Sequence, residues 1–166
     1  MANAEPLRAV PAIPEEYRAV LPAAAKTCPQ VDAPLLAAYL ADASAFKAEA
    51  VSAAGAVSAG QLMPRAWAKY ALPGEVPTDP VASTNVSARF LCATADQVDK
   101  AAPAISDPDA KTAFALIVVN MGDAVLPELV DKSAFTNPDR TAALKESVPY
   151  AGRVMTLRNE YRTQGI

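Results

Sequence analysis

Residues 113–119, AFALIVV, form an unbroken run of side chains without a polar atom. Wound as a helix, such a run is apolar on every side, which argues for a central helix buried by its neighbours and ending near Gly122. A chain built around such an element is all-α. The composition agrees, because much of its 52% apolar content is alanine, the best helix former, and not large or aromatic side chains. At 166 residues the chain has the size of one domain with a real core. It carries no internal repeat, low-complexity tract or composition shift that would mark a second domain.

The turn and cap residues divide the remainder. Residues 1–13 contain prolines without periodicity and read as an extended lead-in. Pro14, with Glu15 and Glu16 in a first turn, opens a helical segment towards Lys26 that Pro22 interrupts. Asp32 is a cap with Pro34 in the next first turn, and Leu35, Leu36, Tyr39 and Leu40 recur on one face as core. A small-residue loop over 48–60 leads into a helix predicted at 61–70. The proline-rich 73–80 segment precedes a long helix predicted at 80–101. Asp107 or Asp109 caps the apolar helix, a short helix is predicted at 123–132, another begins at a cap near Asn137, and a last amphipathic one covers 148–162.

Several chemistries are excluded by residue type. The chain has no histidine, so His-based triads, His metal ligands and imidazole proton shuttles are absent. Acid–base chemistry falls to carboxylates, tyrosine or lysine, and no metal or organic cofactor is implied. A net charge of −3 without a Lys/Arg cluster interleaved with aromatics argues against nucleic acid. No run approaches the roughly 20 apolar residues of a membrane span. Cys28 and Cys92 are too far apart for a Cys-x-x-Cys motif and either pair or remain two buried thiols, the even count favouring a pair and an oxidising compartment. The first residues have no apolar signal core, so an exported protein of this sequence is expected to have lost its signal peptide.

The most informative stretch is 35–64, LLAAYLADASAFKAEAVSAAGAVSAGQLMP. Within it Ala43-Ser44-Ala45-Phe46 is followed by Ala50-Val51-Ser52, a turn at Gly55-Ala56-Val57, and Gln61-Leu62-Met63-Pro64. Further on come Val118-Val119-Asn120-Met121-Gly122 and then Glu146, Ser147, Tyr150 and Ala151. In this order the pieces resemble the lytic transglycosylase and goose-type lysozyme family, which cuts the glycan strands of peptidoglycan. That family reads Glu-Ser-Gly-Phe, Ala-Val-Ser, a glycine turn, Gln-Leu-Met-Pro, and Ala-Tyr-Asn-Ala-Gly. Thr27-Cys28-Pro29 and Phe90-Leu91-Cys92 resemble the paired cysteines of one exported branch, which implies a Cys28–Cys92 disulfide. The resemblance covers about residues 14–160. It implies one lysozyme-like domain over 14–166, with about six to eight helices around a central buried helix.

In that family one glutamate first protonates the oxygen of the β-1,4 bond after N-acetylmuramic acid, while the sugar's acetamido group assists, and then takes the proton of the C6 hydroxyl to close a 1,6-anhydro ring. Ala43 occupies the position of this glutamate and Val119 that of a tyrosine that helps position it. Ser52, Gln61, Met63 and Asn120 match groove positions. Ala45 and Ser58 stand where the family usually has glycine. Asp42 lies about 100° around the helix from position 43 and is not expected to reach the same point. Glu49 falls on a variable, solvent-facing loop. Loss of a general acid reduces rate on the order of 10²–10⁴, so the chain as written is expected to be nearly inert.

Three functions compete. The first is a degenerate transglycosylase-like domain that binds a peptidoglycan glycan strand or a cell-wall protein, secreted or cell-wall associated. The second is an active lytic transglycosylase whose catalytic Glu has been exchanged for Ala43. The third is a structural cell-wall or phage-assembly module.

Overall fold

The computed structural model describes residues 9–166. Among these the chain is helical and has no strand, as expected of an all-α domain; its one antiparallel bridge joins Val57 and Leu62. Eight α-helices run in order: α1 (Glu15–Arg18), α2 (Leu21–Ala24), α3 (Ala33–Ser44), α4 (Pro64–Tyr70), α5 (Pro80–Ala101), α6 (Pro108–Met121), α7 (Leu126–Val130) and α8 (Pro138–Thr163). Single 3-10 turns, Asp123–Val125 and Ser133–Phe135, flank α7.

Proline writes the start of each helix. Pro14 is the residue before α1, and every later α-helix has a proline in its first turn. There the missing N–H has no intrahelical partner to lose and the fixed φ is already helical. Side-chain caps complete four of these starts. Asp32 accepts from Leu35 N at 3.0 Å, Asp107 from Ala110 N at 2.8 Å, and Asp79 and Asn137 each from two backbone N–H groups.

The central buried helix is α3, not the apolar α6. All residues from 34 to 41 in α3 are buried, whereas α6 buries only Leu116 and Val118. The alanines of α3 let α8 and α5 approach it closely, and Ala151, Val154 and Tyr161 of α8 join Ala88 and Leu91 of α5 around it. Helix α6 is packed on α5 and α8; Ala115 and Val119 line one of two hollows described below and Val119 and Met121 the other, while Phe114 and Ile117 pack, half-buried, against the cluster around Val125 and Leu129. A run without polar atoms is therefore apolar on all sides here without being covered on all sides.

Three boundaries differ from the sequence expectation. Helix α4 begins at Pro64 and not at 61: Gln61 has φ 52°, and Leu62 exchanges backbone hydrogen bonds with Val57 at 2.8 and 2.9 Å, so 61–63 close a small loop. The two helices predicted after Asn137 are one, α8, which runs through Pro149. A proline removes one hydrogen bond inside a helix, but Leu144, Ser147, Ala151, Val154, Arg158 and Tyr161 bury a continuous stripe that holds the helix together. The expected lead-in at 1–13 lies partly outside the described residues. Its last part belongs to the fold, since Ile13 is buried and Tyr161 Oη donates to Pro11 O at 2.7 Å.

Cys28 and Cys92 form a disulfide that fastens the turn before α3 to the middle of α5, with Cα atoms 5.9 Å apart. No single helix among the described residues is long and apolar enough to cross a membrane.

Candidate functional site

A groove of about 1040 Å³ opens between the C-terminal end of α3, the 60–70 segment, the middle of α5 and the C-terminal end of α6. Its floor is the end of α3, where Tyr39 is buried and Asp42 and Ala43 are half-buried. Helix α3 stops there because Ala45 and Phe46 both turn left-handed, at φ 52° and 62°, and return their N–H groups to Ala41 O and Leu40 O. The chain then makes the loop 47–63.

This loop is anchored from beneath by α3 and α5. Tyr39 Oη donates to Gly60 O at 2.6 Å, Ser44 Oγ donates to Ala59 O at 2.7 Å, and Ala59 N donates to Ser83 Oγ at 2.7 Å. At Gly60 the backbone passes so close to Ser87 that a β-carbon would overlap the hydroxyl. Gln61 sits on this base with its Nε2 donating to Ala50 O and Ser58 O at 3.0 and 2.8 Å, which leaves its Oε1 without a donor among the described residues.

The expected site residues mostly converge. Ala43, Gln61, Met63, Val119 and Asn120 all line the groove. Met63 is exposed, Val119 is half-buried, and Asn120 is exposed with its Nδ2 donating to Ser147 Oγ at 2.8 Å. Ser52 does not join them: it is exposed on the 47–63 loop, where its Oγ accepts from Ala56 N and closes a turn. Trp67 is buried against Leu62, Ala82 and Val86 beneath the loop. Glu49 is exposed outside the groove, as expected.

Asp42 also lines the groove, one position before Ala43 at the end of α3. Its carboxylate is engaged, however, with Oδ1 accepting from Arg153 Nε at 3.2 Å. Tyr150 lies beside this pair, and burial together with the Asp42 charge drives its phenol well above the usual tyrosine range. Burial, then Tyr150, does the same to Tyr39. Both phenols are therefore neutral hydrogen-bonding groups at physiological pH.

The other wall is aromatic and amide-bearing. Tyr70 and Phe90 pack at 5.6 Å between ring centroids, Lys69 Nζ stands 5.4 Å from the Tyr70 ring centre, and Thr94 and Gln97 follow along α5. Arg89 fixes the end of α4 by donating to Tyr70 O at 3.0 Å and to both carboxylate oxygens of Glu75. From sequence alone Tyr70, Phe90 and Gln97 have no groove role: Tyr70 reads only as a helix end, Phe90 as a neighbour of Cys92, and Gln97 carries no signal. Tyr150 had been visible as part of a terminal motif echo, without a role.

The arrangement offers ring faces at Tyr70 and Phe90, amides at Gln61, Gln97 and Asn120, and charges of both signs at Asp42, Arg65, Lys69 and Asp123. It has no carboxyl group at position 43 that could act as a general acid towards a leaving group. The chain matches no family model, no curated protein and no solved structure.

Proposed function

We propose that this domain is a transglycosylase-like module that binds the N-acetylmuramic acid–N-acetylglucosamine strand of peptidoglycan and does not cut it. The observation that carries the reading is the convergence of Ala43, Gln61, Met63, Val119 and Asn120, which lie between positions 43 and 120 of the sequence, on one groove. A second observation supports the lysozyme-like fold. Ala45 and Ser58, where the resembling family usually has glycine, have φ of 52° and 71°, the left-handed region that glycine adopts most easily.

Binding would use what the groove offers. The Oε1 of Gln61 and the Oδ1 of Asn120 accept from acetamido N–H groups, and Tyr70 and Phe90 supply flat apolar faces for sugar rings. Cleavage is not expected, because Ala43 carries no proton and Asp42 is committed to Arg153. The Cys28–Cys92 disulfide is compatible with an extracytoplasmic location at the cell wall.

The test has two arms. Pulldown on insoluble peptidoglycan is expected to retain the folded domain, and absence of retention removes the glycan-binding claim. Digestion of purified peptidoglycan is expected to yield no 1,6-anhydromuramic products by mass spectrometry. If Ala43→Glu alone produces them, the alternative of an active transglycosylase disarmed at position 43 gains support; inactivity of both forms sinks it.

A further inference from the structure

A second hollow, of about 330 Å³, lies on the other side of α6 and shares only Val119 with the groove. Its bottom is apolar, formed by Val31, Leu35, Leu91, Val98 and Leu116. Its rim carries three ion pairs: Arg162–Asp32 at 2.9 Å, Lys111–Asp99 at 3.1 Å and Arg158–Asp109 at 3.0 Å. An apolar interior with a few converging polar groups, at the small end of the roughly 300–1,000 Å³ range of ligand sites, is the form of a small-molecule site.

The three pairs are not equivalent. In Arg162–Asp32 both partners are about half exposed, and in Lys111–Asp99 both are one-third exposed, with Asp99 also accepting from Gln30 Nε2. In the third, the Arg158 side chain is 4% exposed and Asp109 is 64% exposed. The cation is thus fixed inside the fold, while its carboxylate hangs in water and can leave without breaking any packing. Arg158 also has capacity to spare. Of its five N–H donors, Nη1 uses one on Asp109, and Nε and Nη2 reach only Asn159, at 3.4 and 3.2 Å. Each terminal nitrogen keeps a donor with no acceptor among the described residues.

We propose that this cavity is a binding site for a small apolar monocarboxylate, whose chain fills the space above Leu35, Leu91 and Leu116 and whose carboxylate displaces Asp109 from Arg158. A planar guanidinium holds a carboxylate through two parallel hydrogen bonds, and the exchange leaves Arg158 paired throughout. An ammonium head would meet the buried cation, and an alcohol would leave it with a weaker acceptor than the one it lost.

The probe is octanoate, compared with octanol and octylamine by titrating the methyl resonances of Leu35, Leu91, Val98 and Leu116 in the whole chain. Octanoate is expected to shift them saturably, with octanol about tenfold or more weaker for want of the charge-assisted bonds. Asp109→Asn, a change at an exposed side chain, removes the competing carboxylate and is expected to tighten octanoate several-fold; a merely structural ion pair predicts no gain. Ala95→Phe on α5 fills the cavity and is expected to abolish the shifts. The proposal is overturned by absence of saturable shifts, by octylamine or octanol binding as tightly as octanoate, by Asp109→Asn weakening octanoate, or by shifts that persist in folded Ala95→Phe. Should Ala95→Phe not fold, the ligand series and Asp109→Asn decide alone.

Discussion

The phenol of Tyr39 donates a 2.6 Å hydrogen bond to the carbonyl oxygen of Gly60, 21 residues along the chain, and so ties the buried centre of α3 to the loop that walls the groove. Removing it by Tyr39→Phe strands a buried carbonyl at little change in packing. The expected loss is about 1–3 kcal/mol, read as a fall of several degrees in the calorimetric midpoint. An unchanged midpoint would show that the loop does not depend on this bond.

Gly60 and Ser87 form a matched pair. Gly60→Ala drives a methyl group into the Ser87 hydroxyl and is expected to destabilise by roughly 1–3 kcal/mol. Ser87 Oγ is buried without a partner among the described residues, so Ser87→Ala is expected to be neutral or stabilising. The double variant should recover much of the loss in chemical denaturation. Simple additivity of the two changes would contradict the contact.

At the end of α3, Ala45 holds a left-handed conformation that disfavours any side chain. Ala45→Gly is therefore expected to raise stability by about 1 kcal/mol, where the same change inside a helix lowers it by a similar amount. Ala88→Gly, at a buried position within α5, supplies the opposite sign in the same denaturant series.

Asn120→Ala tests the groove from an exposed position. Among the described residues its side chain bonds to Ser147 Oγ, which is buried. Retention on peptidoglycan should weaken several-fold, and loss of the bond to Ser147 is expected to lower stability by about 1 kcal/mol. Equal retention would remove Asn120 from the proposed contact set.

Stability should fall at both ends of the pH scale for different reasons. The hydrogen bond from Arg89 holds the Glu75 carboxyl below its ordinary value of 4.5, so its contribution is present above that pH and is lost as pH drops through the folded value. Glu75→Gln should accordingly cost stability near neutrality and lose its effect in acid. Burial pushes Tyr17 and Tyr161 up to about 12, so their contribution is full below pH 10 and disappears as pH rises through 12. A phenolate absorbance titration is expected to show these groups ionising late and together with unfolding.

Helix starts were legible because they are local. Asp32, Asp107 and Asn137 announce their caps within three residues, and prolines at 34 and 80 lie where a first turn tolerates them; Pro64, read inside a first turn beginning at 61, is itself the first residue of α4. What covers a helix is not local. Residues 113–119 read as the centre of the fold, but hydropathy cannot say which faces meet a partner, and the alanine-rich α3 took that place through close packing. Of the positions named by motif order, Ala43, Gln61, Met63, Val119 and Asn120 line one groove, and Ser52, whose hydroxyl serves its own turn, does not. Tyr70, Phe90 and the ion pairs of the second cavity are set by contacts between distant segments, and no spacing in the chain encodes them.

The prolines that begin each α-helix lie at the N-terminal ends, while the groove is furnished largely by the C-terminal ends of α3 and α6 and by the loop between α3 and α4. Instructions for building the scaffold and instructions for its chemistry thus occupy different letters of the sequence. A substitution at position 43 or at position 119, both on the groove, leaves every helix start untouched. The groove can therefore be refurnished side chain by side chain while the signals that begin each helix stay in place.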